Sequence, residues 1–286
     1  MKVFVTGATG TVGREVCRAL IARGVQLRVG ARSSSQVTET LPDVSDVVPL
    51  DFTDLSWPSV FEGVDALFFM TPLIEDQVAA STRVFDAAKS AGVRHVVRLS
   101  SRSAGWDMHS KLRSWHRAVD EMVQESSLSS VVLRPCSFFQ NFISYQADTI
   151  RNMSSIILPQ GDGLVSYIDA FDIGDAAAGC LVDWEPHAGK TYVLTGGRAY
   201  GAKGVAAEVG RIIGRPITFV DVDPEQARSL MLEMGNPPWL VEAGIAVFEN
   251  ARAGNEAAVD PTLTELIGRP ATSLSEFVER NRDAWA

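Results

Sequence analysis

Cysteine is scarce in this sequence: three residues in 286, Cys17, Cys136 and Cys180. They are odd in number and far apart, so they form neither a disulfide framework nor a zinc-ligand spacing, and no metal site is expected. Cys136 reads as a small buried hydrophobe rather than a nucleophile. No apolar run approaches the roughly 18–20 residues that cross a bilayer, so no membrane partner is expected. Positive charge is also in deficit, with 26 Lys and Arg against 35 Asp and Glu and a net charge of −9. Without a basic stripe to replace counterions, nucleic acid is not the expected partner. No secretory cleavage pattern, internal repeat or low-complexity linker is found, and a cytoplasmic protein, monomer or homodimer, is expected.

What remains is ordinary globular composition, 46% hydrophobic and 21% charged, enough for one large domain or a domain with a smaller lobe. The first thirteen residues carry the strongest pattern. Lys2–Thr6 predicts a short buried strand, and Gly7-x-x-Gly10-x-x-Gly13 leads straight into a helix over 11–22. Strand, glycine turn and helix in that order make a pyrophosphate cradle, with Gly7, Thr9, Gly10, Thr11, Val12 and Gly13 as its backbone. The second strand, Gln26–Gly30, ends in Ala31-Arg32-Ser33-Ser34. An NAD site usually has an acid there for the ribose 2′-hydroxyl. A guanidinium and serine hydroxyls suit a 2′-phosphate, which favours NADP(H).

Strands are further predicted at 44–50, 65–70, 94–100 and 130–134, with helices at 75–91 and 108–125 between them. This alternation gives parallel strands joined by right-handed crossovers. The fold class is therefore α/β, a Rossmann-type doubly wound parallel sheet with a smaller C-terminal α/β substrate lobe. The NADP-binding domain is placed at 1–156, with 165–195 returning to it, and the substrate lobe mainly at 157–286. A helix is predicted over 138–150. Asp51 and Phe52 are candidates to flank the adenine, or equally to cap a helix. Thr71 and Pro72 form a loop for the nicotinamide ribose, and Ser100 and Pro135, which close strands at the rim of the site, are further candidates to contact the nucleotide. Ser100 and Ser101 can donate hydrogen bonds to a substrate oxygen. Lys111 falls on the helix behind them, facing either a ribose or solvent. On the same helix His116 and Asp120 share a face four residues apart, either as a proton donor with its carboxylate or as a surface pair. Trp106, Phe138, Phe139, Phe142 and Trp239 are candidates for a flat apolar substrate, although each also suits a core.

Several blocks in a fixed order resemble the atypical short-chain dehydrogenase/reductase superfamily, and within it the NmrA-like group. They are Thr6-Gly-Ala-Thr-Gly-Thr-Val-Gly13, Gly92-Val-Arg-His-Val-Val-Arg-Leu-Ser-Ser101, His116-Arg-Ala-Val-Asp120, Val132-Leu-Arg-Pro-Cys-Ser-Phe-Phe-Gln-Asn141, Ile168-Asp-Ala-Phe-Asp-Ile173 and Gly189-Lys-Thr-Tyr-Val-Leu-Thr-Gly196. The sequence is similar to quinone, triphenylmethane-dye and ergot-alkaloid reductases of that group, and also to regulators that sense NADP without reducing anything. Two departures stand out. None of the four tyrosines has Lys four residues later, so the superfamily's Tyr-x-x-x-Lys pair is missing. Phe171 stands where the group usually has Arg, which removes any ion pair made there. The resemblance implies an NADPH-dependent reductase passing hydride to a small aromatic or conjugated acceptor (quinone, enone, imine or carbonyl), or alternatively a non-catalytic NADP(H)-sensing regulator.

Overall fold

The structure, a computed structural model, describes residues 1–52, 58–71, 73–106 and 110–285. The chain divides into two compact units. One comprises Met1–Trp106, Trp115–Pro135 and Ala170–Val193, and the other Asp107–Ser114, Cys136–Asp169 and Leu194–Ala286.

The first unit is built on a sheet. Its strands are β1 (Lys2–Val5), β2 (Gln26–Ala31), β3 (Val47–Pro49), β4 (Ala66–Met70), β5 (His95–Leu99) and β6 (Ser129–Pro135). Thr191–Leu194 completes the order β3-β2-β1-β4-β5-β6-Thr191–Leu194. The pairs β1–β2, β1–β4, β2–β3, β4–β5 and β5–β6 are parallel. Because both faces are covered, β1 and β4 read as near-continuous apolar runs, with Val3, Phe4, Val5, Leu67, Phe68 and Phe69 fully buried. The connecting helices are α1 (Thr11–Ile21), α2 (Ser34–Thr40), α3 (Gln77–Ser90) and α4 (Lys111–Glu125). With β2 and β4 on opposite sides of β1, the strand order reverses there, where doubly wound sheets bind ligands.

Helix Ala170–Val182 lies directly on α1. A Cβ at Gly174 would come within 2.6 Å of the Glu15 backbone, so only glycine permits this approach. At the same contact the Arg18 guanidinium sits 3.8 Å over the Phe171 ring and pairs with Asp175 at 2.8 Å. The cation that Phe171 does not supply comes from α1.

The second unit holds two short strand pairs, Ser155–Leu158 parallel to Thr218–Asp221 and Leu164–Val165 antiparallel to Tyr200–Gly201. Its core gathers Phe139, Phe142, Tyr167, Phe277 and Trp285. The single helix expected over 138–150 is two pieces, Asn141–Ser144 and Ala147–Met153. Between them Gln146 turns its side-chain oxygen to the Ile157 amide at 2.9 Å, tying the break to the adjoining strand. Residues 136–156, drawn with the nucleotide domain in the sequence, pack in this second unit.

Candidate functional site

The glycine loop follows β1 at the reversal of strand order. Gly7 has φ of +63°, a conformation only glycine takes readily, and its carbonyl accepts from the Gly10 amide at 2.9 Å. A Cβ at Gly13 would lie 2.0 Å from the Gly7 carbonyl oxygen, and one at Gly7 would lie 2.2 Å from the Met70 methyl. Thr6 secures the entry: its hydroxyl donates to the Met70 carbonyl at 3.1 Å and accepts from the Met70 amide at 2.8 Å. Gly10 then caps α1 with an extended backbone and no side-chain oxygen. Among the described residues no side chain at Gly10 caps the first-turn N–H groups of Thr11, Val12 and Gly13, which stand at the positive end of the helix dipole and suit an external acceptor. This cradle fits a dinucleotide pyrophosphate. Val12 and Gly13 are buried beneath it, while Thr9 and Thr11 are half-buried at its lip.

At the carboxyl end of β2, Arg32 and Ser34 are exposed and Ser33 is half-buried, its hydroxyl 2.7 Å from that of Ser35. Among the described residues no carboxylate pairs with Arg32, so its guanidinium is available to a 2′-phosphate. Asp51 is exposed beyond β3. Phe52 packs on the edge of the first unit's core, and its carbonyl accepts from Arg83 at 3.0 Å. Thr71 is buried at the end of β4; Pro72 lies outside the described residues.

The carboxyl ends of β5 and β6 carry a buried ionic cluster. Arg98, on β5, is fully buried: one Nη donates to the Leu99 carbonyl and the other to His116 Nδ1 at 3.1 Å. A guanidinium can only donate, so Nδ1 accepts and the imidazole hydrogen resides on Nε2. Burial, then the neighbouring Arg98 charge, pulls the His116 pKa down to about 3. Asp120, fully buried one turn further along α4, accepts from Ser100 Oγ at 2.8 Å and from Arg134 Nε at 2.9 Å, and faces Arg98 Nε at 3.8 Å. Burial pushes its carboxyl up, opposed by Arg98, Ser100 and Arg134.

Two expectations change here. The sequence leaves His116 and Asp120 as either a proton donor with its carboxylate or a surface pair, whereas the structure buries Asp120 and sets Arg98 against both, with the imidazole neutral at pH 7. Ser100 is expected to donate to a substrate oxygen, but its one hydrogen already goes to Asp120, so toward a ligand it can only accept. Ser101 caps the turn Arg102–Gly105, accepting from the Ser103 amide at 3.3 Å. Lys111 is exposed at the start of α4. Neither Arg98 nor Arg134 is a functional candidate from the sequence. The signal for Arg98 was a charge inside an apolar strand, His-Val-Val-Arg-Leu, which requires a buried partner.

Pro135 is buried at the end of β6. Of the candidate substrate aromatics, Phe139 and Phe142 are 1% and 2% exposed. Phe139 stacks on Phe277 at 5.2 Å, and Phe142 meets Tyr167 edge-on at 5.1 Å. Both rings are core, packed in one cluster with Tyr167, Phe277 and Trp285. Trp106, Phe138 and Trp239 are half-buried.

Comparison with known proteins agrees with this architecture. The chain is 32% identical over 284 residues to an NAD(P)H azoreductase of Xenophilus azovorans, covering 99% of both chains. It is 32% identical over 287 residues to a (4-alkanoyl-5-oxo-2,5-dihydrofuran-3-yl)methyl phosphate reductase of Streptomyces griseus, again covering 99% of both. Among solved structures, an NADPH-dependent quinone oxidoreductase of Escherichia coli complexed with NADPH superposes with a TM-score of 0.85 at 24% identity, over 98% of this chain and 99% of that one. A Citrobacter triphenylmethane reductase complexed with NADP(H) gives 0.83 at 23% identity, with the same coverage. The model of the NmrA-like family matches residues 1–278, and the chain belongs to that family.

Proposed function

We propose that this protein is an NADPH-dependent reductase that passes hydride to a small aromatic or conjugated acceptor. The observation that carries the reading is the cradle at Gly7, Gly10 and Gly13, closed so tightly that a Cβ at Gly13 would overlap the Gly7 carbonyl. The first-turn amides of α1 would hold the pyrophosphate, and Arg32 with Ser33 and Ser34 the 2′-phosphate. When bound, the reduced nicotinamide supplies a hydride.

The chain's own residues limit the partner reaction. With His116 neutral and the Ser100 hydrogen held by Asp120, neither group at the ends of β5 and β6 is a strong acid near pH 7. Acceptors that take hydride without prior protonation suit such a site, and quinones and enones do so. The two curated relatives are named for azo and dihydrofuranone reduction, and both groups are conjugated acceptors.

The test is nucleotide affinity together with the loss of NADPH absorbance against quinones, enones, imines and azo dyes. Turnover with one class is expected. Tight NADPH binding with no turnover across the panel would overturn the reductase reading and leave a nucleotide-sensing protein. Failure to bind NADPH would overturn the nucleotide site itself.

A further inference from the structure

Taken as a charge inventory, the cluster at the ends of β5 and β6 is unbalanced. Arg98 and Arg134 contribute two guanidinium charges, Asp120 contributes at most one negative charge, and His116 is neutral. Arg98, though lowered by burial to about 10, stays protonated at neutral pH. Protonating Asp120 would only enlarge the excess. The cluster thus carries at least one positive charge that Asp120 does not balance, and it falls to the more exposed of the two guanidiniums, where an anion can meet it.

The two guanidinium groups are placed differently. Arg98 is sealed, its side chain fully buried and directed to Leu99 and His116. The Arg134 side chain is 20% exposed and is anchored by a single bond, Nε to Asp120. Among the described residues its two Nη groups have no hydrogen-bond acceptor. Gly105 leaves room for them: a Cβ there would stand 3.2 Å from Arg134 Nη1. The carboxylate therefore orients the fork through Nε and leaves its other N–H groups to a ligand. Its position in β6, one residue from the strand's carboxyl end, is on the edge where such sheets bind substrate.

We propose that Arg134, positioned by Asp120, is the oxyanion-binding residue of this reductase, and that it selects neutral carbonyl-conjugated acceptors over cationic ones. The inference rests on the reductase reading above. In the step it serves, the acceptor would gain one hydrogen with two electrons from the reduced nicotinamide, whose ring C–H bond breaks to leave the oxidised ring. A new C–H bond (or O–H bond, if hydride reaches a quinone oxygen) forms as the acceptor's π bond breaks. The displaced electron pair moves to the conjugated oxygen, and the charge that develops there meets the Arg134 N–H groups. A proton from water then neutralises the anion. An iminium or triarylmethane cation gains no negative charge in this step, so it draws nothing from Arg134 and is repelled by the cluster.

Two arms test this. The first uses 4-nitrophenol as an oxyanion probe, with phenolate absorbance followed against pH on the full-length protein, with and without NADP⁺. Binding is expected to lower the probe's pKa by about one to three pH units, and Arg134→Met to abolish the shift. Because this arm can be read without nucleotide, it stands or falls apart from the reductase reading. The second arm compares kcat for a quinone and for a cationic triarylmethane dye. Arg134→Met is expected to lower the quinone kcat about 10²-fold with little change in KM or NADPH affinity, and to leave the dye's rate unchanged or raised.

No phenolate shift in the wild type, a shift that survives Arg134→Met, or equal losses on quinone and dye would each overturn the proposal. So would a loss of NADPH affinity as large as the loss in kcat, which would make Arg134 a nucleotide contact. Should Arg134→Met fail to fold, Arg134→Lys decides: it keeps the charge but loses the fork, and an undiminished phenolate shift and quinone kcat would overturn the role given to the guanidinium.

Discussion

At the scale of single residues, the cofactor end and the chemical end of the first unit depend on different forces. Arg32 is exposed and has no carboxylate partner among the described residues, so in the proposed site it would meet phosphate as a charge-assisted donor. Arg32→Ala is expected to weaken NADPH binding by about 2 kcal/mol, roughly thirtyfold, and NADH binding far less; equal losses in the two titrations would remove the 2′-phosphate assignment. Asp120 is the opposite case, a carboxylate without exposure between two guanidiniums. Asp120→Asn keeps the shape and leaves the buried Arg98 and the half-buried Arg134 without a counter-charge, a loss expected near 3 kcal/mol in denaturant melts. Ser100→Ala removes only a donor to that carboxylate and should cost about 1 kcal/mol. Neither Arg98 nor Arg134 declares its partner in the sequence, because the carboxylate they share lies more than a dozen residues from each.

At the scale of elements, glycine decides how closely helices and strands approach. Gly13→Ala would drive a methyl into the Gly7 carbonyl at the mouth of α1, so nucleotide affinity should collapse together with a stability loss of about 1–3 kcal/mol. Gly174→Ala would force apart α1 and the helix Ala170–Val182, with a loss of the same order. Its effect should appear in thermal melts first and in nucleotide binding only as α1 shifts; a melt unchanged from wild type would show that the helix pair relaxes freely. The Gly7–Gly13 spacing was legible because it is local, a turn and a helix start within thirteen residues. Gly174 was not legible, since what it approaches is the backbone of Glu15, over 150 positions away. The break in the helix over 138–150 is of the same kind. The apolar period continues through it, and the competing bond from Gln146 to Ile157 exists only once the strand Ser155–Leu158 is in place.

At the scale of the whole molecule, two histidines, the buried His95 and the half-buried His116, shape the response to mild acid. His116 and His95 both have lowered pKa values in the folded protein, each first through burial. His95 lies 5.3 Å from Trp184, stacked on its ring, with Nε2 2.9 Å from the Leu181 carbonyl. As pH falls below the ordinary histidine value, about 6.5, the unfolded chain takes up protons that the folded chain refuses. Stability is therefore full above that value and declines as pH drops toward the folded value, about 3 for His116. Denaturant melts should weaken steadily from about pH 7 to about pH 4, and His116→Asn should flatten part of that slope; an unaltered slope would place the proton uptake elsewhere. The sequence by itself determined the α/β alternation, the glycine turn between the first strand and helix, and the family blocks, because each is written in neighbouring residues and in the periodicity of buried strands and helices. Only the tertiary structure decided that the His116 imidazole is neutral, that Ser100 has no hydrogen to offer and that Phe139 and Phe142 are core. Protonation, hydrogen-bond direction and burial are set by groups from separate strands and helices, and those meet only when the sheet has formed.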